Sequence, residues 1–191
     1  MSSSIPKRRA AGLSLIEVVV FIVILGIAFV GMLMLYNKVT EASVDPVLRK
    51  QTLAIAASLL EEIELRAFTY CDPNDANVYT AANSGACTNA ETIGPNEPAA
   101  NAETRYAEPR FDNVNDYHGF SMAGANIRGA DGSFVGGLAD YSVAVTVANA
   151  GADFGLAADA ALLITVAATH APTGVAVSLQ GYRFRYAPNS P

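Results

Sequence analysis

Histidine is almost missing from this 191-residue chain: only His118 and His170 occur, neither beside an evident catalytic partner. There is no H-E-x-x-H, no nucleophile elbow, no phosphate-cradling loop and no C-x-x-C. The local signatures of zinc proteases, serine hydrolases, nucleotide binders and dithiol redox proteins are therefore lacking. A protein that is not an enzyme is the expectation. Basic charge is short as well, with 12 Lys and Arg against 18 Asp and Glu and a formal net charge of −6. Three of those cations, Lys7, Arg8 and Arg9, lie in the first twelve residues, which hold no acid, so the rest of the chain stands at about −9. Contacts to nucleic-acid phosphates need clustered Lys and Arg. The remainder of the chain offers only the strip Tyr182-Arg183-Phe184-Arg185 toward that end, so nucleic acid is not an expected partner.

Cysteine is limited to Cys71 and Cys87. Both follow a long apolar run. If that run crosses a membrane with its basic end in the cytoplasm, both face the oxidising side, where a disulfide is the default state. Closing a ring of about 16 residues contributes on the order of 3 kcal/mol in the chain-entropy model, which suits a staple for a loop. A redox role has no support from the spacing.

The apolar run occupies Leu13–Tyr36 and contains one charge, Glu17. It exceeds the roughly 20 residues needed to span a bilayer. A secretory signal would be cut after its apolar region at small residues, but no A-x-A-like site follows Tyr36, where the chain continues Asn37-Lys38-Val39-Thr40-Glu41. The run is thus expected to stay in the mature protein, with its basic flank cytoplasmic and the head on the outer side. Three parts follow: a leader at 1–12, a transmembrane or filament-core helix at 13–44, and a head at 45–191 with a long loop at 70–110. Glu17 is the exceptional residue, because a carboxylate inside a spanning helix costs about 2.5–3.5 kcal/mol even on lenient scales.

A short basic leader ending in Gly12, then Leu13-Ser14-Leu15-Ile16-Glu17 and some twenty uncharged residues, resembles the prepilin signal of type IV pilins and of the pseudopilins of type II secretion systems. The resemblance covers about the first quarter of the chain. It implies that a membrane prepilin peptidase cuts between Gly12 and Leu13 and methylates the new amine of Leu13. It also implies that the Glu17 carboxylate meets the Leu13 amine of a neighbouring subunit and sets register in a filament. Opposite charges that are each costly in oil attract strongly there. Since Leu13 and Glu17 are i and i+4, a pair within one chain remains the alternative. Further along, Phe111-Asp112-Asn113-Val114-Asn115-Asp116-Tyr117-His118-Gly119 is similar to a segment of minor pilins of the mannose-sensitive haemagglutinin type, the D-type subunits in particular, and the helix containing Val47–Gln51 and Leu59–Ile63 looks like theirs. The implied function is a structural minor pilin that helps to initiate, tip or regulate a filament. The implied partners are the peptidase, an inner-membrane assembly platform and other pilins through helix packing, with the membrane holding the chain before assembly. Alternatives are a secretion pseudopilin, or a filament-displayed adhesin or DNA-binding head.

Periodicity completes the expectation. Val18–Val44 reads as one helix containing Gly26 and Gly31, five residues apart rather than in a G-x-x-x-G pair. Asp45-Pro46 should kink it or restart it. A second helical stretch from about Val47 to Phe68 carries the apolar stripe Leu48, Ala56, Leu59, Leu60, Ile63 and Ala67. Glu61, Glu62 and Glu64 are expected on a solvated face, with Glu62 pairing to Arg66. Strands are expected from Tyr141 to Val147, over Leu162–Ala168, and over Val175–Tyr186 with a bulge at Gln180-Gly181 that brings Val175, Val177, Leu179, Tyr182, Phe184 and Tyr186 to one face. Helix first and strands later reads as α+β, a long helix on a small antiparallel sheet of about three to five strands. No cofactor is expected. Asp112, Asn113, Asn115 and Asp116 offer hard oxygens, with Asp131 in a Gly-rich loop downstream, and calcium takes six to eight such ligands. The spacing is not that of an EF-hand, and such clusters usually make turns, so Asp112, Asn115 and Asp116 stand as weak calcium candidates.

Overall fold

In the computed structural model, residues 14–95 and 103–191 are described, with side chains for all of these except 37–45. Helix α1 spans Leu15–Glu64 and includes Pro46. Four strands follow: β1 (Ser121–Ala123), β2 (Tyr141–Asn149), β3 (Ala161–His170) and β4 (Val175–Phe184). The fold is α+β. By its contacts the chain divides into two units, Met1–Asp45 and Pro46–Pro191. The division falls at Pro46, whose missing N–H removes one helical hydrogen bond.

In the first unit, Leu15–Tyr36 is a 22-residue helical stretch of mean hydropathy 3.1 with none of it buried. At 1.5 Å per residue it reaches about 33 Å, enough for a hydrocarbon core of about 30 Å. By length and composition this helix could cross a membrane.

The second unit is the head. Its stretch of α1 buries Thr52, Ala56, Leu59 and Ile63 at steps of four, three and four, with Leu48, Ile55 and Leu60 partly covered. The helix ends at Glu64, four residues before the expected Phe68. Arg66 N–H already donates to the Ile63 carbonyl in a tighter turn, and Ala67 then pairs with Asn113 in a parallel bridge. Phe68 thereby turns into the core.

The four strands form an antiparallel meander in the order β1-β2-β3-β4. Val143, Val145 and Val147 from β2 and Leu162, Ile164, Val166 and Ala168 from β3 form the buried face with Ala56, Leu59 and Ile63 of α1. Tyr141 adds a polar tie, its hydroxyl donating to Gln51 Oε1 of the helix at 2.6 Å.

The expected bulge in β4 is absent. Thr165 pairs with Gln180, Ile164 with Gly181 and Leu163 with Tyr182 in unbroken register. Val175, Val177, Leu179 and Gly181 therefore share the inner face, while Tyr182 and Phe184 point outward at 46% and 38% exposure. Two contacts account for this. A Cβ on Gly181 would meet the tip of the exposed Glu64 side chain, which must swing aside, and come within 3.3 Å of Leu60, so the small residue eases the close approach of helix and strand. On the outer face Phe154 covers Tyr182 and Phe184 edge-on, with ring centroids 5.2 and 4.9 Å apart.

Residues 70–95 and 103–110 contain no strand of the sheet, only turns, one 3-10 turn at Ser84–Ala86 and short bridges. Cys71 and Cys87 form a disulfide with Cα atoms 5.3 Å apart, and Val78 and Ala81 pack with Cys71 as a small second core. The C-terminal tail holds this loop: Asn189 Nδ2 donates to the carbonyls of Val78 and Ala81 at 2.8 and 3.0 Å.

Candidate functional site

Two regions carry chemistry beyond packing. The first is the start of the apolar helix. Glu17 lies in its first turn and is exposed, its backbone N–H bonded to the Ser14 carbonyl at 3.0 Å. Gly12 and Leu13, where processing and the charge pair are expected, lie outside the described residues. Nothing comes within 4 Å of where a Cβ on Gly26 or Gly31 would stand.

The second region is a polar web at the end of the head helix. Arg105, 4% exposed, forms a two-pronged ion pair with Glu62, Nε to Oε1 at 2.8 Å and NH2 to Oε2 at 2.5 Å. The Tyr117 hydroxyl donates to Glu62 Oε1 at 2.9 Å and receives Arg66 Nε–H at 3.2 Å. Glu62 is thus no solvated residue. Its ion-pair partner is Arg105, 43 residues away, and the expected Arg66 reaches it only through Tyr117. Burial works to raise the Glu62 carboxyl, but the hydrogen bonds and charge of Arg105, with Tyr117 and Arg66 assisting, hold it below its ordinary value. Burial pushes the Tyr117 hydroxyl upward, and the Glu62 charge adds to the rise.

Beside this web lies an acidic cluster. Thr104 pairs with Arg110 in a bridge, and Phe111 N–H donates to the Thr104 carbonyl at 3.0 Å. That closure brings Glu103 to Asp112 and Asp116, so that one oxygen of each lies within 4.8 Å of the others. Asp116 is fully buried, and its Oδ2 accepts the backbone N–H groups of Asn113 at 2.7 Å and Asp112 at 3.1 Å. Its side chain also shares a hydrogen bond with Glu103. Asn74 Nδ2 reaches Asp112 Oδ2 at 3.1 Å. Burial, then the charges of Asp116 and Asp72, push the Asp112 carboxyl up to about 7. Burial also raises Asp116, to about 6, against the pull of its hydrogen bonds.

Of the expected oxygen ligands, Asp112 and Asp116 meet, and Asn113 and Asn115 are buried in the same turn of chain. Asp131 does not join them. It accepts Ser133 N–H and Oγ–H in its own exposed turn, at 3.0 and 2.6 Å. Glu103 was not expected, and no local spacing marks it, because only the 104–111 closure makes it a neighbour.

The remaining candidates are engaged elsewhere. His118 Nδ1 accepts Val147 N–H at 3.2 Å, and His170 bonds to Thr173 Oγ1 at 2.8 Å and rests on Tyr141. In the aromatic–basic strip, Arg185 pairs with Asp159 at 2.8 Å and lies over Phe68 and Tyr70, while Arg183 donates to the Arg66 carbonyl and covers Tyr186. An open cleft of about 730 Å³ beside α1 is lined by Ile55, Leu59, Met122, Val135, Leu138 and the paired Glu62 and Arg105. No family model, curated protein or solved structure matches the chain.

Proposed function

We propose that this chain is a type IV pilin-like subunit of the minor kind, anchored in the bacterial inner membrane and then built into a filament through its N-terminal helix. The observation that carries the reading is an unburied apolar helix, Leu15–Tyr36, with a single carboxylate, Glu17, in its first turn. In this reading the leader is removed at Gly12, and the new amine of Leu13 meets Glu17 of a neighbouring subunit. Moving from bilayer to filament core exchanges one apolar setting for another, so assembly needs little free energy and can be reversed. A disulfide in the loop after the helix suits a head on the oxidising side. The engagement of Arg183 and Arg185 within the head, and the net negative charge, weigh against a DNA-binding role for that strip.

Mass spectrometry of the N-terminus of the mature protein, recovered from membranes or filaments, tests this. The expected terminus is methylated Leu13. Recovery of chains that all retain Met1–Gly12 overturns the processing step and with it the charge pair.

A further inference from the structure

The sheet has two edges, and they differ. β1 closes one with three residues, Ser121–Ala123, while β4 forms the other with ten, Val175–Phe184. Arg185 N–H donates to the Ala160 carbonyl at 2.9 Å, which sets the alternation of the ladder between β3 and β4. Val177, Leu179, Gly181 and Arg183 therefore bond to β3. Ala176, Ser178, Gln180 and Tyr182 turn their N–H and C=O groups to the open side, where no hydrogen bond among the described residues takes them up. That is a run of about 20 Å of unpaired backbone. Edges are commonly blunted by shortness, bulges, proline, lysine or a covering loop. β1 is short, but β4 is long, unbroken and free of proline, lysine and acid.

A second observation says what kind of strand fits there. Arg183 is the one charged residue of β4. No carboxylate pairs with it among the described residues, whereas Arg105 has Glu62 and Arg185 has Asp159. Its NH2 donates to the Arg66 carbonyl at 3.2 Å and its NH1 to the Tyr186 hydroxyl at 3.4 Å, but its Nε is buried without an acceptor. A buried donor left unmatched is costly, and more so on a charged group. A space of about 110 Å³ lies against Arg183, lined also by Phe68, Tyr186 and Ser190, with room for the end of one side chain. Glu64 approaches Gly181, two residues away, yet forms no ion pair with Arg183.

We propose that the open edge of β4 takes up an extended segment of another protein as a fifth strand, with an acidic side chain of that segment opposite Arg183. Main-chain hydrogen bonds along Ala176–Tyr182 supply affinity, and the acid supplies the choice of partner. In paired strands, residues directly opposite on one face stand with Cβ atoms about 4.5–5.5 Å apart, within reach of a guanidinium–carboxylate pair. A second copy of this chain is the poorer fit, because its β4 has no acid to set against Arg183. On the outer face the exposed Tyr182 and Phe184, backed by Phe154, offer an apolar contact to the neighbouring residues of the segment. The edge belongs to the head, so this reading holds whether or not the chain enters a filament.

The test immobilises the full-length chain in detergent and pans a phage-displayed library of random ten-residue peptides on it. Enriched peptides are expected to carry an acid among β-branched or aromatic residues. Binding of these peptides, made synthetically, should fall roughly tenfold or more on Arg183→Gln, the effect of losing one charge-assisted pair. It should vanish on Ser178→Pro, which removes an outward N–H and leaves the bonds to β3 in place. Near-UV circular dichroism checks the fold of both variants. Where Ser178→Pro fails to fold, N-methylation of alternate amides in the peptide blocks the same ladder from the other side. No enrichment, enrichment of peptides without an acid, or equal binding by wild type and Arg183→Gln overturns the proposal. A dimer in light scattering that Ser178→Pro dissolves overturns it in favour of a second copy.

Discussion

Helix α1 contains two stretches of comparable length and opposite character. From Leu15 to Tyr36 it is apolar on every side and buries nothing. From Pro46 to Glu64 it carries one buried stripe, Thr52, Ala56, Leu59 and Ile63, and keeps Gln51, Glu61 and Glu64 at the surface. A helix that is apolar all round needs an apolar medium or partner helices on all sides, whereas a striped one needs a single packed surface. The head supplies that surface for the second stretch. The first stretch buries nothing among the described residues, so its apolar area calls for an apolar surrounding. One continuous secondary structure thus carries two kinds of surface, and its contacts divide where proline interrupts the hydrogen-bond ladder.

A pair of substitutions can break this comparison. Ile63→Ala removes a side chain that is 0% exposed at the centre of the head core and should destabilise the head by about 2–5 kcal/mol. Ile24→Asp places a charge mid-way along a stretch that buries nothing among the described residues, at a cost of about 2.5–3.5 kcal/mol for membrane insertion. The expected outcome is a crossed pattern. Near-UV circular dichroism of the detergent-solubilised protein should show an early melt for Ile63→Ala alone. Carbonate extraction of membranes should release Ile24→Asp alone. If Ile24→Asp melts the head as severely, the two stretches are not independent and the division is wrong.

A smaller effect is expected at Gly181, where the head stretch of α1 meets β4. A Cβ there moves the tip of Glu64 aside and presses on Leu60, and a larger side chain must displace Leu60 itself, so Gly181→Leu should cost about 1–3 kcal/mol. The thermal midpoint measures it. A neutral result would mean that helix and strand have room to spare at this contact and that Gly181 does not set their approach.

The register of β4 shows where the sequence was legible and where it was not. β2 and β3 could be read directly, because Val143, Val145 and Val147 alternate with smaller or polar residues and Leu162–Ala168 is nearly continuous in apolar character. The stripe Ala56, Leu59, Ile63 was equally plain. In β4 the bulky apolar residues change phase at Gly181, from Val175, Val177 and Leu179 to Tyr182 and Phe184, and a period of two cannot tell a bulge from a second set that turns outward. The decision rests on Phe154, which comes from a turn some thirty residues earlier and covers the outer aromatics. β1 is only three residues long, too short to show a period. The polar web failed for the same reason. Arg66 stood at the right helical spacing for Glu62, yet Arg105 takes the carboxylate by way of a loop closure. Glu103 likewise reaches Asp112 and Asp116 only through the Thr104–Arg110 bridge. Local pattern finds what neighbours in sequence do, and loop closure lies beyond it.

The smallest predicted effect concerns that pair, and it depends on pH. Arg105 and its partners hold the folded-state Glu62 carboxyl below its ordinary 4.5. A depressed carboxyl contributes stability that is fully present above the unfolded value and is lost as pH falls through the folded one. Glu62→Gln keeps the shape and removes the charge, so it should lower stability by about 1 kcal/mol near neutral pH. The gap between wild type and variant should hold from neutrality down to about 5 and then shrink below glutamate's ordinary 4.5. Comparing the two proteins at each pH removes the opposite trend of Asp112 and Asp116, whose raised values favour the folded state in acid. Thermal midpoints of both proteins between pH 7 and pH 3 suffice as the measurement. A gap unchanged down to pH 3 would mean that the ion pair holds Arg105 by shape and hydrogen bonding, with no net electrostatic contribution to the head.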